Sequence, residues 1–212
     1  MAPTSRSSVA AAGAARGVSG AELVARLALG APRRMEIAGF RRAAVLVPVL
    51  EGKAGLELLL TVRAGHLRTH AGQIAFPGGR LEEGEDDVTA ALRETREEIG
   101  LDVLPGQVIG RLSDHPSPAG YVATPLVALL PWPQRIVADP SEVAETFTVP
   151  VADLLASVPT HRLGELRSYR RRIYTYRWRE REIWGFTGNV VHDLLLALGG
   201  ATDVGPGDPF EP

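Results

Sequence analysis

The 212-residue chain contains no cysteine. That absence removes disulfides, thiolate metal sites, iron–sulfur clusters and cysteine nucleophiles together, so any metal must be held by oxygen or imidazole. Lysine is nearly missing as well: among 23 basic residues only Lys53 is a lysine. A formal net charge of −2 leaves no global excess of positive charge. Nothing therefore recommends binding of nucleic acid through the whole surface, and a small-molecule partner is favoured. No run approaches the ~18 consecutive apolar residues that cross a bilayer, so no membrane contact is expected. The first 20 residues are Ser, Ala and Gly with scattered Arg. They lack the continuous apolar core of a secretory signal, and no amphipathic helix precedes Ala21 to make a transit peptide. The last three residues, Phe210-Glu-Pro212, are not a peroxisomal Ser-Lys-Leu, and a cytoplasmic location is the expectation.

What is present suits a folded domain. Hydrophobic residues make up 45% and charged ones 23%, enough for a packed core, and the length fits one domain. The expected limits are a disordered tail over 1–20, a single domain over 21–199 with its core at about 40–198, and a disordered tail over 200–212. Residues 21–29 read as a helix stopped by Gly30 and Pro32. Residues 43–50 and 56–63 read as a hairpin about the 51–55 turn. Between Ala64 and Gly79 the pattern breaks into Gly, His, Arg and Pro around Ile74-Ala-Phe76, an irregular loop of the kind that carries function. Helical period returns in Val88, Ala91, Leu92, Thr95 and Ile99. With Asp86 or Asp87 as N-cap and Gly100 as C-cap, it predicts a helix over Asp87–Ile99. Strands are expected at 107–112, 122–130 and 145–149, then a short helix from Pro150 through Ala156. A hairpin of 173–178 and 182–184 follows, and Thr187 caps a last helix buried through Val190, Val191, Leu194, Leu195 and Leu198. This mixed order of elements places the chain in the α/β (α+β) class.

On the helix over Asp87–Ile99, Glu94 lies three residues from Glu97 and four from Glu98. The three carboxylates thus share one face, opposite the apolar stripe. Like charges at this spacing cost about 0.2–0.5 kcal/mol per pair, and the last turn already carries the negative end of the helix dipole. Arg93 and Arg96 compensate in part, and alone such a face suits a plain solvated, salt-bridged helix. Phe76-Pro-Gly-Gly79 just upstream changes the reading. It is a tight turn whose glycines let backbone groups approach an ion or a phosphate. Hard oxygen donors beside a glycine turn suit Mg²⁺ or Mn²⁺.

Gly79, Glu85 and Arg93-Glu-Thr-Arg-Glu-Glu-Ile-Gly-Leu101 together resemble the Nudix box: Gly, five residues, Glu, seven residues, Arg-Glu-apolar-x-Glu-Glu-x-Gly-apolar. Thr95, at an apolar position, is the one departure. The resemblance implies a mixed β-sheet sandwiched between α-helices, and hydrolysis of a diphosphate linked to another group. It implies Glu94 and Glu98 as direct metal ligands, Glu97 as a third or water-mediated one, and a Glu85–Arg93 salt bridge that orients the helix. Glu85, Arg93, Glu94, Glu97 and Glu98 are thus the candidate catalytic set, with Mg²⁺ or Mn²⁺ as cofactor. A divalent ion there would neutralise diphosphate charge and acidify a water, without a covalent intermediate. A carboxylate must accept that water's proton, either one of the helix set or one from a later loop. Glu142 and Glu145, after the Pro140 turn, are candidates, and exposed loop carboxylates are their plain alternative.

A second group of motifs resembles the coenzyme A pyrophosphatase branch of that superfamily. These are Leu59-Leu-Thr-Val-Arg63, Leu67-Arg-Thr-His70, Gly72-Gln-Ile74 and Phe76-Pro-Gly-Gly79, extended through Thr124-Pro125 and Ser141-Glu-Val143 to Trp184-Gly-Phe-Thr187. Where that branch more often has Gly-Ala-Thr-Ala-Arg, this chain has Gly185-Phe-Thr-Gly-Asn189. The resemblance implies cleavage of coenzyme A and its derivatives to 3′,5′-ADP and 4′-phosphopantetheine or its acyl form. Arg63, His66, Arg68 and His70 crowd into eight residues, and a substrate with a diphosphate and a 3′-phosphate needs several cationic donors. Arg63, Arg68, His70, Gly78 and Gly79 are the candidate substrate-binding residues, with Arg63 or Arg68 expected at the 3′-phosphate. The histidines read equally well as surface or structural groups. Arg167 and the run 170–172 read as a solvated strand edge, and Trp178 and Trp184 as core residues rather than adenine platforms.

Two other readings stay open. One is a Nudix hydrolase for another nucleotide-linked diphosphate, such as a dinucleotide or nucleotide sugar, because the box sets the chemistry and not the leaving group. The other belongs to a different class, a Nudix-fold module that binds nucleotide without hydrolysing it. The intact Arg93, Glu94, Glu97 and Glu98 speak against that module. Both a monomer and a homodimer are compatible with the sequence.

Overall fold

The structure, a computed structural model, describes residues 18–67, 69–166, 169–200 and 210–211. Arg68, Arg167 and most of both expected tails lie outside the described residues. Helix α1 (Gly20–Leu29) is followed by strands β1 (Arg41–Gly52), β2 (Gly55–Arg63), β3 (Ile74–Ala75) and β4 (Gly78–Arg80), then helix α2 (Asp87–Ile99). Strands β5 (Val108–Arg111), β6 (His115–Ser117), β7 (Tyr121–Pro131) and β8 (Val143–Pro150) precede helix α3 (Val151–Ala156). The chain continues through β9 (Thr160–Leu166), β10 (Tyr169–Trp178), β11 (Arg181–Trp184), helix α4 (Gly185–Ala197) and β12 (Phe210–Glu211).

Strand β1 is apolar at every position from Ala43 to Leu50 and is buried throughout that run. Such a strand belongs in the middle of a sheet covered on both faces. It pairs in parallel with β7 from Arg41 to Glu51 and antiparallel with β2. The main sheet runs β3-β2-β1-β7-β5, with β4 on β1, β6 on β7 and β8 on β2. Alternate residues of β1 serve two cores. Ala44, Leu46 and Leu50 pack with Ala90, Ala91 and Ile99 of α2. Val45, Val47 and Val49 pack with Val190, Val191 and Leu194 of α4. Helices therefore cover both faces of a mixed sheet, as the sequence implied. A smaller sheet of β9 to β12 joins the α4 side through Tyr174 and Tyr176. Among the described residues no helix is long and apolar enough to cross a membrane.

Several local expectations need correction. The stretch from Ala64 to Gly79, expected as a loop, contains β3, and Gly78–Gly79 begins a strand rather than a turn, because two glycines let β4 lie against Ala44 and Val45 of β1. Helix α1 starts at Gly20, with Ser19 Oγ accepting the Glu22 N–H at 3.2 Å, so described structure reaches into the expected N-terminal tail. Helix α4 begins before Thr187. That residue is buried within it and donates its hydroxyl to Ile74 O at 2.9 Å instead of capping the helix. Strand β9 has no counterpart among the expected elements, since its side chains are mostly exposed and show no alternation. In the expected C-terminal tail, Phe210–Glu211 pairs with Arg170 and Arg171 of β10. There β9 covers one edge of β10, while β11 covers the other edge only from Thr175 onward, leaving open backbone groups for the tail to satisfy.

Candidate active site

Helix α2 is held at both ends by its own sequence. Asp86 Oδ1 accepts the Thr89 N–H at 2.7 Å, and Gly100, at φ 62°, ends the helix by donating to Arg96 O at 3.0 Å. Thr95 is fully buried, and its hydroxyl donates to Ala91 O at 2.7 Å. The polar atom at this apolar position is therefore satisfied within the helix, and the departure from the pattern costs little.

Arg93 is the hub of the acidic face. Its Nε and Nη2 donate to the two Glu85 oxygens at 2.8 and 3.0 Å, and its Nη1 donates to Glu94 at 3.0 Å and Glu97 at 3.1 Å. Nη2 also reaches Arg80 O of β4 at 3.2 Å. The bidentate bond to Arg93 is the main reason that the Glu85 carboxyl falls to about 2, helped by the Glu82 N–H. Glu85 first, and then Glu94, raise the Arg93 guanidinium further above its usual value against the opposing effect of burial. Loop, helix and strand β4 are thus fastened at one side chain.

The three carboxylates share a face of α2 but not one environment. Glu97 is the open one, its side chain 58% exposed. Glu98 is only 4% exposed, because β4 lies across it. Its Oε2 accepts the Gly78 N–H at 3.1 Å, and its Oε1 stands 3.8 Å from Arg63 Nη1. Burial pushes the Glu98 carboxyl up to about 7 against the pull of Gly78 and Arg63, with Glu142 and Glu94 adding to the rise. Burial raises Glu94 too, against the pull of Arg93. Glu94 folds over Gly79, where any Cβ would overlap its carboxyl group.

Among the described residues no three acidic or histidine side chains converge as a ready-made cation cage. The donor chemistry nonetheless fits a hard divalent ion. Glu94 and Glu98 are oxygen donors one helical turn apart, and burial disfavours the charged form of both, a penalty that a cation beside them would offset.

The loop before β8 is tied to the end of α2 by Val137 N–H to Ile99 O and Asp139 N–H to Glu98 O, both 2.8 Å. Asp139 Oδ1 accepts from the Ser141 N–H and hydroxyl at 2.8 and 2.7 Å. The exposed Glu142 of this loop lies near enough to raise both Glu94 and Glu98. Glu145 is engaged elsewhere, 2.6 Å from Arg181. His66 meets Ser141 O at 3.0 Å, a structural contact.

On the other side of β4 opens a cavity of about 460 Å³. Arg63, His70, Gly78 and Gly79 line it, so four of the five expected substrate residues come together, and Arg68 lies outside the described residues. His70 sits at φ 60° with its Nδ1 2.7 Å from Gln73 Oε1. Two expectations fail here. Arg171 is no solvated edge residue: it is 6% exposed and lines the cavity. Trp184 is no core residue: it is 43% exposed and lines the same cavity, because the chain turns into α4 directly after it. Trp178 does pack on the core, stacked on Phe147 at 6.3 Å with its Nε1 donating to Asp153 at 2.9 Å. Arg80 and Arg162 also line the cavity and carried no signal in the sequence.

A mixed sheet between helices, with an acidic helix packed over a glycine strand, agrees with the fold that the resemblance to the Nudix family implied. A NUDIX domain model matches residues 40–172. The uncharacterized Nudix hydrolase NudL of Photorhabdus laumondii subsp. laumondii is 40% identical over 156 residues, 73% of this chain and 83% of that protein. NudL of Yersinia pestis is 37% identical over 156 residues, covering 73% of this chain and 78% of its own length. In structure the chain is similar to a MutT/nudix family protein from Enterococcus faecalis, with a TM-score of 0.50, 18% identity, and 85% of this chain and 68% of that one covered. That last likeness is one of fold. The chain belongs to the Nudix hydrolase family.

Proposed function

We propose that this chain is a divalent-metal-dependent pyrophosphohydrolase that cleaves the diphosphate of coenzyme A and its derivatives to 3′,5′-ADP and 4′-phosphopantetheine or its acyl form. One observation carries the reading. The carboxylate-bearing helix and the cationic, aromatic-lined cavity meet at Arg63, Gly78 and Gly79. A diphosphate at that junction would have its reacting end beside Glu94 and Glu98, with the rest of a nucleotide-sized ligand in the cavity. The motifs that resemble the coenzyme A branch include Arg63, His70, Gln73, Ile74, Phe76, Gly78 and Gly79 of the cavity lining, and they support this substrate over other nucleotide-linked diphosphates.

In this reading Glu94 and Glu98 hold Mg²⁺ or Mn²⁺, with Glu97 a third ligand or one acting through water. Such an ion, when bound, supplies charge neutralisation for the diphosphate and acidifies a water. Arg93 keeps Glu85, Glu94 and Glu97 in register with β4, and the Gly78 N–H orients Glu98. Glu142, which faces both ligands, is a better candidate for the proton acceptor than Glu145, which Arg181 occupies. Arg63 carries a buried Nε without a partner among the described residues and stands 3.8 Å from Glu98, which suits it to bind the diphosphate. Arg68 and His70 remain contributors to phosphate binding. The proposed unit is one domain over 21–199, acting in the cytoplasm as a monomer or homodimer on a small-molecule nucleotide substrate, with no nucleic-acid or membrane partner.

The test is product analysis by mass spectrometry with coenzyme A, NADH, ADP-ribose and diadenosine polyphosphates in parallel. Coenzyme A is expected to be cleaved fastest, to 3′,5′-ADP. Faster cleavage of another compound would reassign the substrate, and nucleotide binding without any turnover would leave a non-catalytic module.

A further inference from the structure

We infer that Arg171 and Arg162 form a second anion site on the cavity wall, one that takes a phosphate monoester remote from the diphosphate, with the Trp184 indole as a platform for the attached planar base. The assignment of that monoester to the 3′-phosphate of coenzyme A rests on the proposed function. The site itself rests on three features of the second sheet.

The first is the burial of Arg171. An arginine this far from water is ordinarily matched by a carboxylate. Among the described residues Arg171 has none, and its Nη1 donates to the Pro116 carbonyl. Burial, and then the neighbouring Arg162, disfavour its charge.

The second is register. Arg171 pairs with Gly164, and Ile173 pairs with Arg162, so Arg171 and Arg162 are diagonal neighbours on one face of the β9–β10 ladder. The residue opposite Arg171 is a glycine, so no side chain stands between Arg171 and Arg162, and the Ile173 Cδ1 methyl packs over it. Two adjacent guanidinium groups without a carboxylate between them repel each other. A dianionic phosphate, which accepts from both planar forks, removes that repulsion.

The third is location. Both arginines line the cavity that Arg63 and Gly78 also line, and the half-exposed Trp184 borders it. The cavity thus has cationic groups in two places, Arg63 beside Glu98 and the Arg171–Arg162 pair on the β9–β10 wall. A substrate with one diphosphate and one separate phosphate monoester matches that layout. It also frees Arg63 for the diphosphate, where its 3.8 Å approach to Glu98 puts it.

Binding to the full chain in excess chelator tests the site without hydrolysis. By calorimetry 3′,5′-ADP is expected to bind at least about tenfold tighter than 5′-AMP, which differs from it by the monoester alone. Arg162→Gln, at an exposed position that folding tolerates, should collapse that ratio toward one, and Arg171→Gln should do the same if its melting curve shows it folded. Equal affinities for the wild type, or an unchanged ratio in Arg162→Gln, would overturn the inference. The two proposals fail separately. Cleavage of coenzyme A without the affinity ratio removes the anion site and leaves the activity. The ratio without cleavage of coenzyme A leaves the site and removes the activity.

Discussion

The backbone N–H of Gly78 donates to Glu98 Oε2 at 3.1 Å, so a single bond ties the glycine strand β4 to the most buried carboxylate of the acidic helix. The two glycines of that strand do different work. Gly78 sits at φ 148°, and a Cβ there would run into the Ala44 carbonyl and Val45 Cα, backbone atoms of the central strand. Gly78→Ala is expected to destabilise the fold by more than about 2 kcal/mol. At Gly79 the obstacle is only the movable end of Glu94. Gly79→Ala should melt near the wild type yet lose most of its turnover, because Glu94 is displaced. Thermal melts and kcat for the pair separate the roles, and full turnover in Gly79→Ala would show that the Glu94 position is immaterial.

Replacement of Glu98 or Glu94 by glutamine is expected to lower kcat at least about a hundredfold. The fold should persist. In Glu98→Gln the new amide oxygen can still accept the Gly78 N–H, and a neutral group avoids the burial penalty that raises the Glu98 carboxyl to about 7. Chelation should abolish wild-type activity, and Mg²⁺ or Mn²⁺ should restore it. Full turnover in excess chelator, or by both variants, contradicts the metal assignment.

Arg93→Ala removes the partner of three carboxylates and the link to the Arg80 carbonyl. Activity is expected to fall about 10–100-fold, as is usual when a group that orients metal ligands is lost. The melting temperature should fall with it, since Glu85, Glu94 and Glu97 are left to repel one another. A variant that melts and turns over like the wild type would deny Arg93 its orienting role.

These residues also show what could be read from the sequence. Helix α2 was legible to its ends because its signals are local: a 3.6-residue period, Asp86 before it and Gly100 after it. The apolar run over 43–50 was legible as a strand, while its cover on both faces showed only once α2 and α4 were packed on the sheet. The burial of Glu98 was hidden, because β4 covers it from a position 20 residues away in sequence. Arg171 and Trp184 were misread for a related reason. Residue type and spacing did not reveal β9, the strand that sets Arg171 beside Arg162, or the early start of α4, which leaves Trp184 at the cavity. The acidic half of the site was thus readable within one helix, and the cationic half existed only after the second sheet was assembled.

The last prediction concerns acid stability. His192 of α4 is 4% exposed, its ring stacked on Tyr174 at 3.5 Å, and its Nδ1 lies 2.7 Å from the Tyr176 hydroxyl. Burial pushes its pKa from 6.5 down to about 4, with Asp193 opposing and His115, Arg172 and His161 contributing in the same direction as burial. The folded state therefore keeps His192 neutral across a range in which the unfolded chain takes up a proton. Its contribution is complete above about pH 6.5 and is lost as pH falls toward about 4. The loss amounts to about 2 kcal/mol at pH 5 and on the order of 3 kcal/mol at the bottom of the window. Urea denaturation at pH 8, 6 and 5 measures the slope. His192→Phe combined with Tyr176→Phe keeps the ring packing, removes the titrating imidazole and leaves no orphaned hydroxyl. That double variant should lose about 2 kcal/mol less than the wild type between pH 8 and pH 5. Parallel slopes for the two proteins would show that His192 is not held neutral in the core.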